Sequence, residues 1–246
     1  MVWAGAITAG AMGACAGAFM GTAVVRAARQ EQPWRGRSHC DACGVGLGFA
    51  RTIPLVSYAW TGGRCGSCAS PIDRIHPAAE AAAAAVAAVP FLLLGPGRAV
   101  LVAGLGLLLV WESLVDTTSG RLPDRLTLAC LVLAAALALQ RGWIVLALGV
   151  AAAAISFLTL ECLRRLFERA AGAPGLGFGD VKLIGSLAIW LGPAIAWAIV
   201  LASCAGLLFV LVRRPASRTI PFGPFIAAAG WTVGLAREAQ LWPPHI

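Results

Sequence analysis

Residues 183–212 carry no charged side chain. A helix at a water-facing surface cannot be built from such a run, because every face of it would be apolar. A membrane span needs about 20 mainly apolar residues, so the stretch is too long for one, and Gly192-Pro193 marks a turn between two helices. The same reasoning selects 1–25, 78–94, 99–115, 126–140, 142–160 and 219–236. Only Glu80 and Glu112 interrupt the second and third of these stretches. The expected architecture is therefore an all-α polytopic membrane protein with about eight transmembrane helices. The low charged fraction of 12% and the mean hydropathy of +0.83 agree, since a soluble domain of this length needs more charge to cover its surface.

Orientation follows from the basic residues, which concentrate on the cytoplasmic side of membrane proteins. With the N-terminus outside, Arg26, Arg29, Arg35, Arg37, Arg51, Arg64 and Arg74 fall inside. So do Arg121, Arg125, Arg164, Arg165, Arg169, Lys182, Arg213, Arg214 and Arg218, leaving Arg98, Arg141 and Arg237 outside. The net charge of +8 is a topology signal, and no basic soluble domain for nucleic acid is visible. The first segment lacks a basic stretch before its apolar run, so it reads as a retained span rather than a signal peptide. The expected division is 1–25, a first transmembrane helix; 26–77, a cytoplasmic loop; and 78–246, a seven-helix membrane domain.

The loop contains Cys40-Asp-Ala-Cys43 and Cys65-Gly-Ser-Cys68. Two C-x-x-C pairs at this separation have the pattern of a zinc ribbon, each pair supplying two thiolates to a tetrahedral ion. Gly44 and Gly66 suit the turns. Two disulfides are the alternative, but the expected location is reducing. Four thiolates leave no open coordination position, so the metal is structural, and it would supply folding energy that so short a loop cannot gain from a core. Cys15, Cys130, Cys162 and Cys204 lie in apolar segments and read as small core residues.

Ionisable groups beside spans mark candidate functional sites: here Glu80, Glu112, Asp116, Asp124, Glu161 and Asp180. Asp116 closes the third span. Asp180 follows Gly175-Leu-Gly-Phe-Gly179 and opens the sixth, where it could be a simple helix cap. The alternating glycines exceed what a cap requires and permit close backbone approach. Both aspartates fall on the cytoplasmic side. Two adjacent carboxyls cannot both ionise comfortably, which suits peptide hydrolysis: one activates water while the other polarises the carbonyl.

These motifs, in this order, resemble the type IV prepilin peptidases. The resemblance is carried by the C-x-x-C loop ending in Ile72-Asp-Arg-Ile-His-Pro77-Ala-Ala-Glu80, and by Asp116…Leu122-Pro123-Asp124. It continues through Gly177-Phe178-Gly179-Asp180-Val181-Lys182-Leu183, similar to the G-x-G-D motif of intramembrane aspartic proteases, and Ile220-Pro-Phe-Gly-Pro-Phe225. It implies a protease of the bacterial inner membrane that removes the basic leader of prepilins or pseudopilins at the cytoplasmic face. Asp116 and Asp180 would be catalytic, with Asp124 in reserve, and Glu80 matches a family acid. Many members also methylate the new N-terminus with S-adenosylmethionine, an activity associated with the cysteine loop. Gly21 stands where the family carries asparagine, and His76 where tyrosine is common. From the residues alone, a transporter or assembly scaffold with a zinc-stabilised loop is the alternative. Transporters usually place acids near the midplane within repeats, whereas these acids lie at span ends.

Overall fold

The computed structural model describes residues 2–34, 36–172, 175–214 and 220–241. Arg35 and Arg218, both assigned to the inner side by charge, lie outside the described residues. The regular structure is helical, with two isolated β-bridges and no strand among the described residues. The chain divides into two compact units, Met1–Leu92 and Leu93–Ile246. Compactness thus groups the helix after the loop with the helix before it, whereas polarity alone divides the sequence at 25 and 77.

In the N-terminal unit, α1 (Val2–Ala28) leads into the cysteine loop, which carries the short α2 (Val56–Trp60) and ends at α3 (Ile75–Leu93). Ala79, Ala83 and Ala87 recur every fourth residue of α3 and are buried. They face a glycine stripe on α1. A methyl group at Gly13 or Gly17 would run into the Ala83 or Ala79 carbonyl, and one at Gly10 would stand 3.2 Å from the Ala88 Cβ. Small residues on both helices let the backbones approach, which is how helices associate where lipid removes the hydrophobic drive.

The C-terminal unit comprises α4 (Pro96–Ser119), α5 (Asp124–Gln140), α6 (Trp143–Ala171), α7 (Phe178–Leu191), α8 (Ile195–Arg213) and α9 (Gly223–Glu238). Left-handed glycines, Gly120 (φ +64°) and Gly172 (φ +67°), stop α4 and α6, as glycine at a helix C-terminus commonly does. At Gly192 (φ +54°) the chain leaves α7 through a 3-10 turn, Gly192–Ala194, before α8 begins, so the long apolar run is two helices as expected.

Among the described residues, five stretches are helical, long and apolar enough to cross a membrane: Val2–Ala28, Ile75–Leu93, Pro96–Ser119, Trp143–Ala171 and Phe178–Arg213. The helices α5 and α9 stand where spans were expected, but at 17 and 16 residues they fall short of the usual length of about 20.

The most enclosed element is α7. Asp180, Val181 and everything from Leu183 to Leu191 are buried, with α5, α6 and α9 packed around it. Three glycines permit this. A methyl at Gly149 of α6 would collide with the Ile189 carbonyl, one at Gly230 of α9 would stand 2.7 Å from Leu187 Cδ1, and one at Gly234 would enter the Trp190 ring. By contrast, α6 and α8 display Ile155, Leu158, Leu207, Leu208, Leu211 and Val212, an apolar surface suited to lipid. Cys130 is buried as expected, but Cys15, Cys162 and Cys204 are exposed on their helices; they belong to outward apolar faces rather than to the core.

Replacing Gly149 by valine should separate α6 from α7. Overpacking of this kind costs about 1–3 kcal/mol, so the thermal unfolding midpoint in detergent should fall clearly for Gly149→Val. It should stay nearly constant for Ala151→Val, whose position on α6 is exposed.

Candidate active site and metal centre

The two C-x-x-C segments fold into the same hydrogen-bonded turn. The Cys40 amide donates to the Val45 carbonyl at 2.9 Å and the Gly44 amide to the Cys40 carbonyl at 2.8 Å. Twenty-five residues later, Cys65 donates to Ser70 at 2.8 Å and Ala69 donates to Cys65 at 2.9 Å, in the same register. The fifth residue of each turn has positive φ, +70° at Gly44 and +58° at Ala69. Gly66, expected to serve a turn, instead makes room for Arg51, whose guanidinium would lie 2.9 Å from a Cβ there.

These turns bring the Cys40, Cys43, Cys65 and Cys68 sulfurs within 4.8 Å of one another, with Cys40 Sγ and Cys68 Sγ 3.8 Å apart. Zinc–sulfur bonds of about 2.3 Å in a tetrahedron require sulfurs about 3.8 Å apart, so the donor set fits such an ion. Backbone hydrogen bonding from Cys68 and Ser67, helped by the Cys40 side chain, holds the Cys65 thiol down at about 6, which favours the thiolate a metal needs. Glu80 on α3 serves this unit structurally. It accepts the Leu55 amide at 2.7 Å and so secures a turn in which Leu55 has an unfavourable φ of +60°.

In the C-terminal unit, Asp116 lies in the last turn of α4 and Asp180 in the first turn of α7, and both are buried. Each of α4 and α7 packs against both α5 and α9, and the two carboxyls are within electrostatic reach of each other. Asp116 Oδ2 accepts the Gly223 amide at 2.9 Å, where α9 begins and its free amides favour an anion. A side chain at 223 would put its Cβ 2.8 Å from that oxygen. The glycine of Pro221-Phe-Gly-Pro224 is therefore needed for close approach to Asp116.

The glycines before Asp180 each make room for something specific. A Cβ at Gly175 would meet the Phe167 ring at 2.5 Å, one at Gly177 the Asp180 carboxylate at 2.9 Å, and one at Gly179 the Leu122 Cβ at 2.9 Å. The Asp180 side chain thus turns back over its own helix start, where an acid is favoured. Leu122, in the turn after Asp116, packs directly on the G-x-G-D segment, linking the two motifs.

The other acids stand apart. Asp124 is 81% exposed and ion-paired with Lys182, joining the start of α5 to α7; Lys182 also lies 5.1 Å from the Phe178 ring centroid. Glu161 is bound by Arg164 at 2.8 Å and Arg165 at 2.6 Å. Glu112, one turn before Asp116, is fully buried and accepts the Thr127 hydroxyl at 2.7 Å, tying α4 to α5. Its apolar surroundings in sequence signalled burial, but its partner Thr127 carried no signal.

Two family models match the chain: the bacterial peptidase A24 N-terminal domain over residues 11–94 and the type IV leader peptidase family over residues 101–211. A Burkholderia pseudomallei (strain 1026b) protein named prepilin leader peptidase/N-methyltransferase is 37% identical over 201 residues, which is 79% of this chain and 65% of that protein. This chain therefore spans just under two thirds of that relative's length. Proteins of the same name from Aeromonas hydrophila and Dichelobacter nodosus are 35% and 34% identical, covering 85% and 83% of this chain and 73% of each relative. No solved structure matches it significantly. With both models matched in order and identities above 30% over most of its length, the chain belongs to the type IV leader peptidase family.

Proposed function

We propose that the chain is a multi-pass protein of the bacterial inner membrane that cleaves the basic leader from prepilin-like substrates at the cytoplasmic face, with Asp116 and Asp180 as its acid pair. The observation that carries this reading is that two buried carboxyls on separate helices, α4 and α7, lie within electrostatic reach of each other, each set by glycine contacts that no simple cap requires. The family and its relatives' names support the substrate class. In the reaction, one carboxylate takes a proton from water as the water oxygen attacks the scissile carbonyl. The other carboxyl hydrogen-bonds the carbonyl oxygen as charge develops there, and a proton then passes to the leaving amine.

The basic loops put the acid pair on the cytoplasmic side, next to a leader that cannot enter lipid. The eight-span topology, with α5 and α9 completing the membrane bundle, belongs to the same proposal. Asparagine at either catalytic position removes acid–base function while preserving shape. Asp116→Asn and Asp180→Asn should each lower the rate of leader cleavage by about 10²–10⁴-fold in a co-expressed prepilin assay, whereas Asp124→Asn retains most of it. Normal processing by either active-site variant would remove that residue from the mechanism.

The thiolate cluster is assigned to structural zinc. Metal analysis should find about one ion per chain, and the double variant Cys40→Ser/Cys65→Ser should carry almost none; a metal-free, disulfide-bonded loop would contradict the assignment.

A methyl-transfer function would reside in the N-terminal unit. A cavity of about 630 Å³ there is walled by Phe19, Trp34, Tyr58, Asp41, His76 and Glu80 among others. Aromatic faces suit an adenine ring and a sulfonium cation, and carboxylates suit ribose hydroxyls and an ammonium group, so the lining fits S-adenosylmethionine, which supplies the methyl group. Calorimetry should detect binding to the whole protein and about three- to tenfold weaker binding to Trp34→Ala, the loss typical of one aromatic contact. Absence of binding to the wild type would end this part of the proposal.

A further inference from the structure

At the end of the C-terminal unit remote from Asp116 and Asp180 lies a second polar cluster, formed where α4 starts and where α5, α7 and α9 finish. Arg98, Gln140, Arg141, Arg237, Glu238 and Gln240 enclose a cavity of about 320 Å³. Three guanidinium groups and one carboxylate line it, so the cavity is net positive. The Glu238 side chain is 1% exposed. It takes its hydrogen bond from Trp190 Nε1 at 3.0 Å, while Arg98 and Arg141 remain 3.5 Å and 3.7 Å away. Arg237 is turned to the Leu191 carbonyl at the end of α7. Arg141 Nη1 is buried and has no hydrogen-bond partner among the described residues.

We propose that this cavity is a site for a phosphate-bearing anion, with Arg98 and Arg141 as its principal donors. A buried guanidinium N–H without an acceptor is costly, and Glu238, already bonded to Trp190, lies too far away to satisfy it. A phosphate offers several oxygens in the geometry a guanidinium fork prefers, and its negative charge offsets the excess of arginine. The site's place at the ends of the apolar helices favours the phosphate of an anionic phospholipid headgroup. The cluster lies where the apolar helices end, and Trp143, two residues beyond Arg141, is 73% exposed, as tryptophans at the membrane interface are. This inference is independent of the acid pair and of any methyl transfer.

The test uses the whole protein in an uncharged detergent, with its thermal unfolding midpoint titrated against phosphatidylglycerol, phosphatidylcholine and inorganic phosphate. Phosphatidylglycerol should raise the midpoint saturably, and Arg141→Gln should shift half-saturation at least about tenfold upward, the scale of one lost charge-assisted hydrogen bond. Arg98→Gln, at a side chain 44% exposed, should shift it similarly and covers the case in which the Arg141 variant folds poorly. A response to inorganic phosphate alone that the same variants weaken would support the anion site and assign its source to the free ion. Equal responses to the two lipids, no response to either anion, or half-saturation unchanged in both variants would overturn the proposal.

Discussion

Everything in the C-terminal unit is arranged around the enclosure of α7. Its sequence, Phe178–Leu191, is apolar on every face beyond Lys182 apart from Ser186, whose hydroxyl bonds the Leu183 carbonyl, so it is accommodated only where other helices surround it. That demands backbone approaches closer than ordinary side chains allow, which Gly149, Gly230 and Gly234 supply. Once α7 is held by α5, α6 and α9, its first turn is fixed in position, and Asp180 with it. The same helices α5 and α9 hold α4, so the end of α4 and the start of α7 are located by common neighbours. The placement of Asp116 and Asp180 is thus a consequence of helix packing, with Gly223 and Leu122 adjusting it locally.

A second constraint is that carboxyl groups withdrawn from water require partners. Three of the buried acids of this unit meet it in different ways, and each of these solutions joins particular helices. Glu112 takes the Thr127 hydroxyl and binds α4 to α5. Asp116 takes a helix-terminal amide and binds α4 to α9. Glu238 takes the Trp190 indole and binds α9 to α7. Polar contacts at both ends of the helices therefore help to specify which neighbours are correct, alongside the close packing at the glycines. The N-terminal unit reaches specificity by another route: two turns in one hydrogen-bond register gather four sulfurs, and Glu80 anchors the intervening loop.

Much of this was legible in the sequence because it depends on local chemistry. Long uncharged runs become helices wherever they are, Gly192-Pro193 breaks one of them, and C-x-x-C pairs form knuckles by short-range hydrogen bonding. The two aspartates could be singled out by position and by the glycines before Asp180. Other features had no local trace. Glu238 follows an arginine at the end of the last apolar segment and looks like an ordinary surface acid, yet its burial comes from Trp190, forty-eight positions away. Asp124 shares a motif with Asp116, but its exposure and its ion pair with Lys182 depend on how α5 meets α7. The outward-facing cysteines were misjudged because hydrophobicity shows that a segment is in an apolar medium, not which face meets protein and which meets lipid.

The sequence by itself determined the helical class, the succession of apolar segments, the thiolate cluster and the identity of the candidate acids, since each rests on composition or on spacing within a few residues. Tertiary structure alone decided which acids are buried and what partners they take, which glycines permit the approach, and that Arg98 and Arg141 flank one buried carboxylate at the far end. Those outcomes require helices distant in sequence to choose neighbours, and the choice is made by complementary packing and by the partners that buried polar groups must find.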